Sequence, residues 1–110
     1  MATIKALTDL KQSKKLAEIL PLESADMYYP SEMVSPKFGV ALSISNNIPC
    51  WRLSALLGVL PEGWSFVLTK SFDGEDYYCK LDGEAIETMA DNPVDACVAM
   101  VEKLHELNLL

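Results

Sequence analysis

A chain of 110 residues, half of them hydrophobic, has the length for one domain and enough apolar surface for a core, which excludes a disordered tail. Its formal net charge of −7 argues against a phosphate-backbone binder, because such a surface needs clustered Lys and Arg. Direct nucleic-acid binding through Lys5, Lys11, Lys14 and Lys15 is therefore not the expectation; these lysines read as a solvated helix face.

No apolar stretch follows the first lysine, and the most apolar run, Leu53 to Leu60, is too short to cross a bilayer. The expected product is a soluble, cytoplasmic protein without a membrane partner. Cys50, Cys79 and Cys97 are an odd set at wide spacing, with no CxxC pattern. They read as free, buried thiols in a reducing compartment rather than as zinc ligands.

In chain order, the spacing of Leu16, Ile19 and Leu20 predicts a helix over about 8–20, with Thr8 as N-cap and Pro21 as stop. Residues 24–29 read as a turn or short extended piece, and residues 30–37 as loop. Phe38 to Ser45 alternates with period two and predicts a strand over 38–45. Leu53, Leu56, Leu57 and Leu60 recur at helical spacing and predict a helix over about 50–60.

Asp73-Gly74 signals a two-residue type I′ hairpin between strands 64–72 and 75–82. That turn sets Phe72 opposite Glu75, Leu68 opposite Cys79 and Phe66 opposite Leu81, and it sorts apolar from polar residues onto opposite faces. Asp82-Gly83 could turn the chain again into a strand over 84–89, with Ile86 beside Cys79. Asn92-Pro93 opens a helix over about 93–107 whose apolar stripe is Val94, Cys97, Val98, Val101 and Leu104. The expected class is α+β, a single domain over 1–110: an antiparallel sheet of three to four strands with helices on its apolar face.

The search for chemistry yields no catalytic set, no metal site and no need for a cofactor. His105 is eight residues from Cys97 on one helix, about 12 Å along its axis, so the two cannot form a dyad. His105 reads as a partly buried structural residue. Asp73, Glu75 and Asp76 crowd one hairpin end, and Asp82 and Glu84 the other, on the order of 20 Å away. They cannot share an ion, and Asp-Gly is what a tight turn asks for. Between residues 73 and 95 the acids Asp73, Glu75, Asp76, Asp82, Glu84, Glu87, Asp91 and Asp95 face Lys80 alone, so one segment carries the charge of the whole chain. Binding candidates outside that acidic region are Tyr28, Tyr29, Trp51, Arg52 and Trp64, since Trp, Tyr and Arg make interface hot spots. The same residues also furnish cores, and Trp51 beside a helix start reads first as structural.

Three strings, SADMYYP (24–30), IPCWRLSALLGVLP (48–61) and DNPVDACVAMVEKLHELNLL (91–110), resemble a family of small uncharacterised proteins of gut Bacteroidetes and their phages and mobile elements. The resemblance implies a cytoplasmic bacterial or phage protein and brings no catalytic residue with it. The expected function is a non-enzymatic protein-binding or accessory module. Its partner would be a basic protein meeting the acidic region, or a second copy meeting an apolar patch near Trp51 and Tyr29. The alternatives are an acidic mimic of nucleic acid that inhibits a DNA-binding protein, and a small enzyme with a cleft beside His105, Tyr77 or the acidic turns.

Overall fold

The computed structural model describes residues 5–39, 47–83 and 85–110. The chain is α+β, with three helices and two antiparallel three-stranded sheets. Helix α1 is Leu10–Leu16, α2 is Leu53–Gly58 and α3 is Pro93–Glu106. The strands are β1 (Met27–Tyr29), β2 (Lys37–Phe38), β3 (Ile48–Cys50), β4 (Phe66–Lys70), β5 (Tyr77–Leu81) and β6 (Glu87–Ala90). Residues 6–59 form one compact unit, and residues 60–110 with Lys5 form another.

In the first unit β1 is the central strand, between β2 and β3. The strand expected over 38–45 lies almost wholly outside the described residues; only its start, at Phe38, falls in β2. Of the segment 24–29, read as a turn or short extended piece, Met27–Tyr29 is extended and forms the central strand of the sheet. Met27 and Tyr29 point inward and Tyr28 is half-buried, a period-two pattern three residues long and too short to stand out in the sequence. Met27, Tyr29 and Cys50 form a buried cluster, with Leu7, Leu10 and Ile48 packed on it.

Two helix starts differ from expectation. Asp9, not Thr8, caps α1: its carboxylate accepts from the Gln12 amide at 2.8 Å, and the Gln12 side chain accepts from the Asp9 amide at 3.1 Å. Thr8 is drawn away because its hydroxyl and backbone bind Trp51. Helix α2 begins at Leu53 rather than near Cys50, since Cys50 belongs to β3. Its six residues bury Leu56 and leave Leu57 exposed.

In the second unit β5 is central, flanked by β4 and β6, and α3 packs on β5 and β6. The β4–β5 register is the one the hairpin pattern predicts: Phe66 opposite Leu81, Leu68 opposite Cys79 and Lys70 opposite Tyr77. The turn itself differs. The Gly74 amide donates to the Ser71 carbonyl at 3.0 Å, and only Gly74 takes a positive φ, +77°. A type I′ turn would need positive φ at Asp73 as well. Asp73 instead accepts from the Ser71 hydroxyl at 2.5 Å and from the Glu75 amide at 3.0 Å. The loop is therefore four residues long, closed by Ser71 and Asp76, with a type I turn over Ser71–Gly74. Phe72 becomes a turn residue instead of a strand residue.

Strand β6 sets Thr88, not Ile86, beside Cys79. Ile86 lies two residues further along, where its carbonyl accepts from the Leu81 amide at 3.0 Å. Helix α3 follows the sequence closely. Asn92 caps it by accepting from the Asp95 amide, Pro93 occupies the first turn, and the predicted stripe is buried together with Ala96 and Met100. His105 is exposed in its last turn, not partly buried, because it falls outside that stripe.

Candidate functional site

The candidate residues of the first unit are taken up by the fold. Trp51 is completely buried, and its indole N–H donates to Ser24 Oγ at 3.0 Å. Tyr29 is buried and donates its hydroxyl to the Thr8 carbonyl at 2.9 Å. Neither ring is itself available for a surface patch. Tyr28 is half-buried, its ring close against Gly39.

Arg52 is exposed as the sequence suggests, yet it is engaged within its own unit. Its Nε–H donates to Asp26 Oδ2 at 2.6 Å, its amide donates to Asp26 Oδ1 at 3.0 Å, and its guanidinium lies 4.9 Å from the centre of the Phe38 ring. Partial burial works to raise the Asp26 pKa. The Arg52 amide and guanidinium outweigh it and hold the carboxyl below its ordinary value.

Around Thr8 lies a buried polar cluster with nucleophile-type side chains. Thr8 Oγ1 and Ser13 Oγ are 2.8 Å apart, the Trp51 amide donates to Thr8 Oγ1 at 3.1 Å, and the Cys50 thiol donates to the Thr8 carbonyl at 3.3 Å. Burial pushes the Cys50 thiol up. Burial first, and Cys50 beside it second, push the Tyr29 hydroxyl up to about 12. Both groups are thus held protonated at neutral pH, which suits an anchoring role and not a nucleophile or base.

In the second unit, Cys79 on β5 and Cys97 on α3 are buried, free and hydrogen-bonded to each other. Donation to Cys79 together with burial pushes the Cys97 thiol up. The three cysteines are buried and unbridged, as their spacing suggests. No group of three potential metal ligands gathers among the described residues.

The acidic region is less uniform than its sequence. Asp73 is occupied with its own turn, and its bonds to Ser71 and Glu75 hold it below its ordinary pKa. Glu87 pairs with Lys80 at 3.5 Å, and Asp95 with Lys5 at 2.8 Å. Glu84 lies outside the described residues. Glu75 is exposed and Asp76 half-buried at the hairpin tip, while Asp82 is exposed at the far end. The structure therefore keeps the two acidic ends apart, as the strand length requires.

Beside these acids the hairpin exposes apolar side chains. Phe72 at the tip is fully exposed, Trp64 is 42% exposed and Val67 38%. Trp64 leans on Phe66, with ring centres 6.4 Å apart. At the Asp82 end a cavity of about 420 Å³ is lined by Trp64, Ser65, Leu81, Asp82, Ile86 and Leu109. The Asp73-Gly74 pattern places Phe72 on the strand's apolar face, whereas the observed four-residue loop leaves it on the surface.

No family model, curated protein or solved structure matches the chain. Among the described residues, no helix is long and apolar enough to cross a membrane.

Proposed function

We propose that the chain is a non-enzymatic protein-binding module of the bacterial, phage or mobile-element kind that its resemblance implies, and that the hairpin tip is its recognition surface. The observation that carries this reading is Phe72. A turn holds its ring wholly in solvent, beside Glu75 and Asp76. Burying such a ring is worth about 1.5–3 kcal/mol, an amount the folded monomer leaves unused. An aromatic anchor with acidic neighbours fits a basic partner that offers an apolar pocket.

The test is affinity capture from a bacterial host lysate with wild-type chain, Phe72→Ala and the double variant Glu75→Lys, Asp76→Lys. The expected partner is retained at low salt, released at high salt and lost with either variant. Capture that ignores salt and both variants rules out the tip as the recognition surface.

A further inference from the structure

We propose that the edge of β4 that pairs with no strand among the described residues pairs antiparallel with β4 of a second copy of this chain, in a register centred on Leu68. The inference is independent of the partner reading above: it needs the backbone of β4, whereas partner capture needs the acidic tip.

The hydrogen bonds decide which way the β4 backbone faces. The Asp82 amide donates to the Ser65 carbonyl at 2.8 Å, and the Ser71 amide donates to the Asp76 carbonyl at 2.8 Å. In the unbroken ladder between them, residues 65, 67, 69 and 71 turn their N–H and C=O toward β5. Leu81, opposite Phe66, sends its amide to the Ile86 carbonyl on its other side, as the alternation requires. Phe66, Leu68 and Lys70 therefore turn their N–H and C=O away from β5. Among the described residues β5 is the one strand paired with β4. The row of outward groups is a template for another strand.

The side chains select the occupant. Strand β4 holds no acid, no proline and no bulge, and Lys70 is its one charge. In an antiparallel pair centred on Leu68, the residues with outward backbone groups meet each other: Leu68 faces Leu68 of the second copy, and Phe66 faces Lys70. Lys70 then lies across an aromatic ring instead of blocking the edge. A pair centred on Lys70 would bring two ammonium groups together. Both acidic ends lie outside the five-residue strand, so the centre of the interface carries no like charge. Five paired residues make a small interface, well under the roughly 1,200 Å² of a standard complex, so the dimer forms with rising concentration and is not permanent.

Sedimentation of the full chain over a concentration series tests this, with two variants. Lys70→Pro removes an outward N–H and no bond to β5. It is expected to raise the dimer dissociation constant at least tenfold while the circular dichroism and melting temperature hold. Leu68→Cys, made together with Cys79→Ala because Cys79 lies directly opposite Leu68 on β5, is expected to yield a covalent dimer on mild oxidation, because directly opposed residues lie within disulfide reach. Thr69→Cys, which faces Val67 of the second copy, is expected to give no covalent dimer under the same oxidation. Raising salt should leave the dimer unchanged or tighten it, since each copy carries −7; capture of a basic partner responds in the opposite sense. A wild-type chain that sediments as a monomer throughout the series overturns the proposal. So does a dimer that Lys70→Pro does not weaken and Leu68→Cys does not trap. If Lys70→Pro unfolds the chain, the cysteine pair decides alone.

Discussion

Residues 6–59 and residues 60–110 solve the same problem, tying a small sheet to a helix, in different ways. The first unit buries polar side chains to do it. Thr8 and Ser13 are completely buried, and the Thr8 amide, carbonyl and hydroxyl hold Trp51, Tyr29, Cys50 and Ser13. The buried residues of the second unit, among those described, are apolar or cysteine, set by the period of one helix and one hairpin. Side chains spent on internal bonds cannot also serve a surface. The first unit thus absorbs the aromatic residues that a sequence reader would offer as hot spots, while the second leaves Trp64 and Phe72 outside.

The sharpest way to break this contrast is to exchange Trp51 and Phe72 separately for alanine. Trp51→Ala leaves a large cavity and removes the indole's bond to Ser24 Oγ, and should cost about 3–5 kcal/mol in a denaturant titration. Phe72→Ala, at the other end of the scale of effects, should leave stability within about 0.5 kcal/mol of wild type.

Between these extremes lies Tyr29. Its folded pKa stands above the ordinary value of 10.0, at about 12. The folded state therefore holds the proton more tightly, and the stability this brings is present below pH 10 and is lost as pH rises toward 12. The loss should be on the order of 2–3 kcal/mol in wild type and absent from Tyr29→Phe, so the stability difference between the two, set at neutral pH by the lost bond to Thr8, should change only in that alkaline window. A smaller effect is expected at Thr8. Thr8→Val keeps the volume but leaves the buried Trp51 amide without its acceptor, at a cost of about 2 kcal/mol, and Thr8→Ser should recover most of it.

Asp26 sharpens the comparison at acid pH. Its carboxyl is held below the ordinary value by Arg52, so its contribution is present above about pH 3.8 and fades as pH falls through the lowered pKa. Half-exposed as the pair is, Asp26→Asn should change neutral-pH stability by about 1 kcal/mol or less.

Period and capping made the second unit legible. The stripe of α3, its Asn92 cap and the β4–β5 register follow from spacing alone, because each repeats over enough residues to outweigh local exceptions. The first unit was opaque for the converse reason. Its strands are two or three residues long, and the bonds that tie it together join residues more than twenty positions apart, 43 in the case of Thr8 and Trp51. No local pattern announces that a threonine placed like an N-cap will be claimed by a distant tryptophan amide.

The amino-acid sequence by itself determined the α+β class, the hairpin register, the last helix and the separation of the two acidic ends. Each rests on periodicity or on the reach of the chain. Tertiary structure alone decided which aromatics are core and which are surface. Burial is a property of what packs around a ring: Trp51 and Tyr29 found hydrogen-bond partners inside, whereas the turn at Asp73 left Phe72 with solvent.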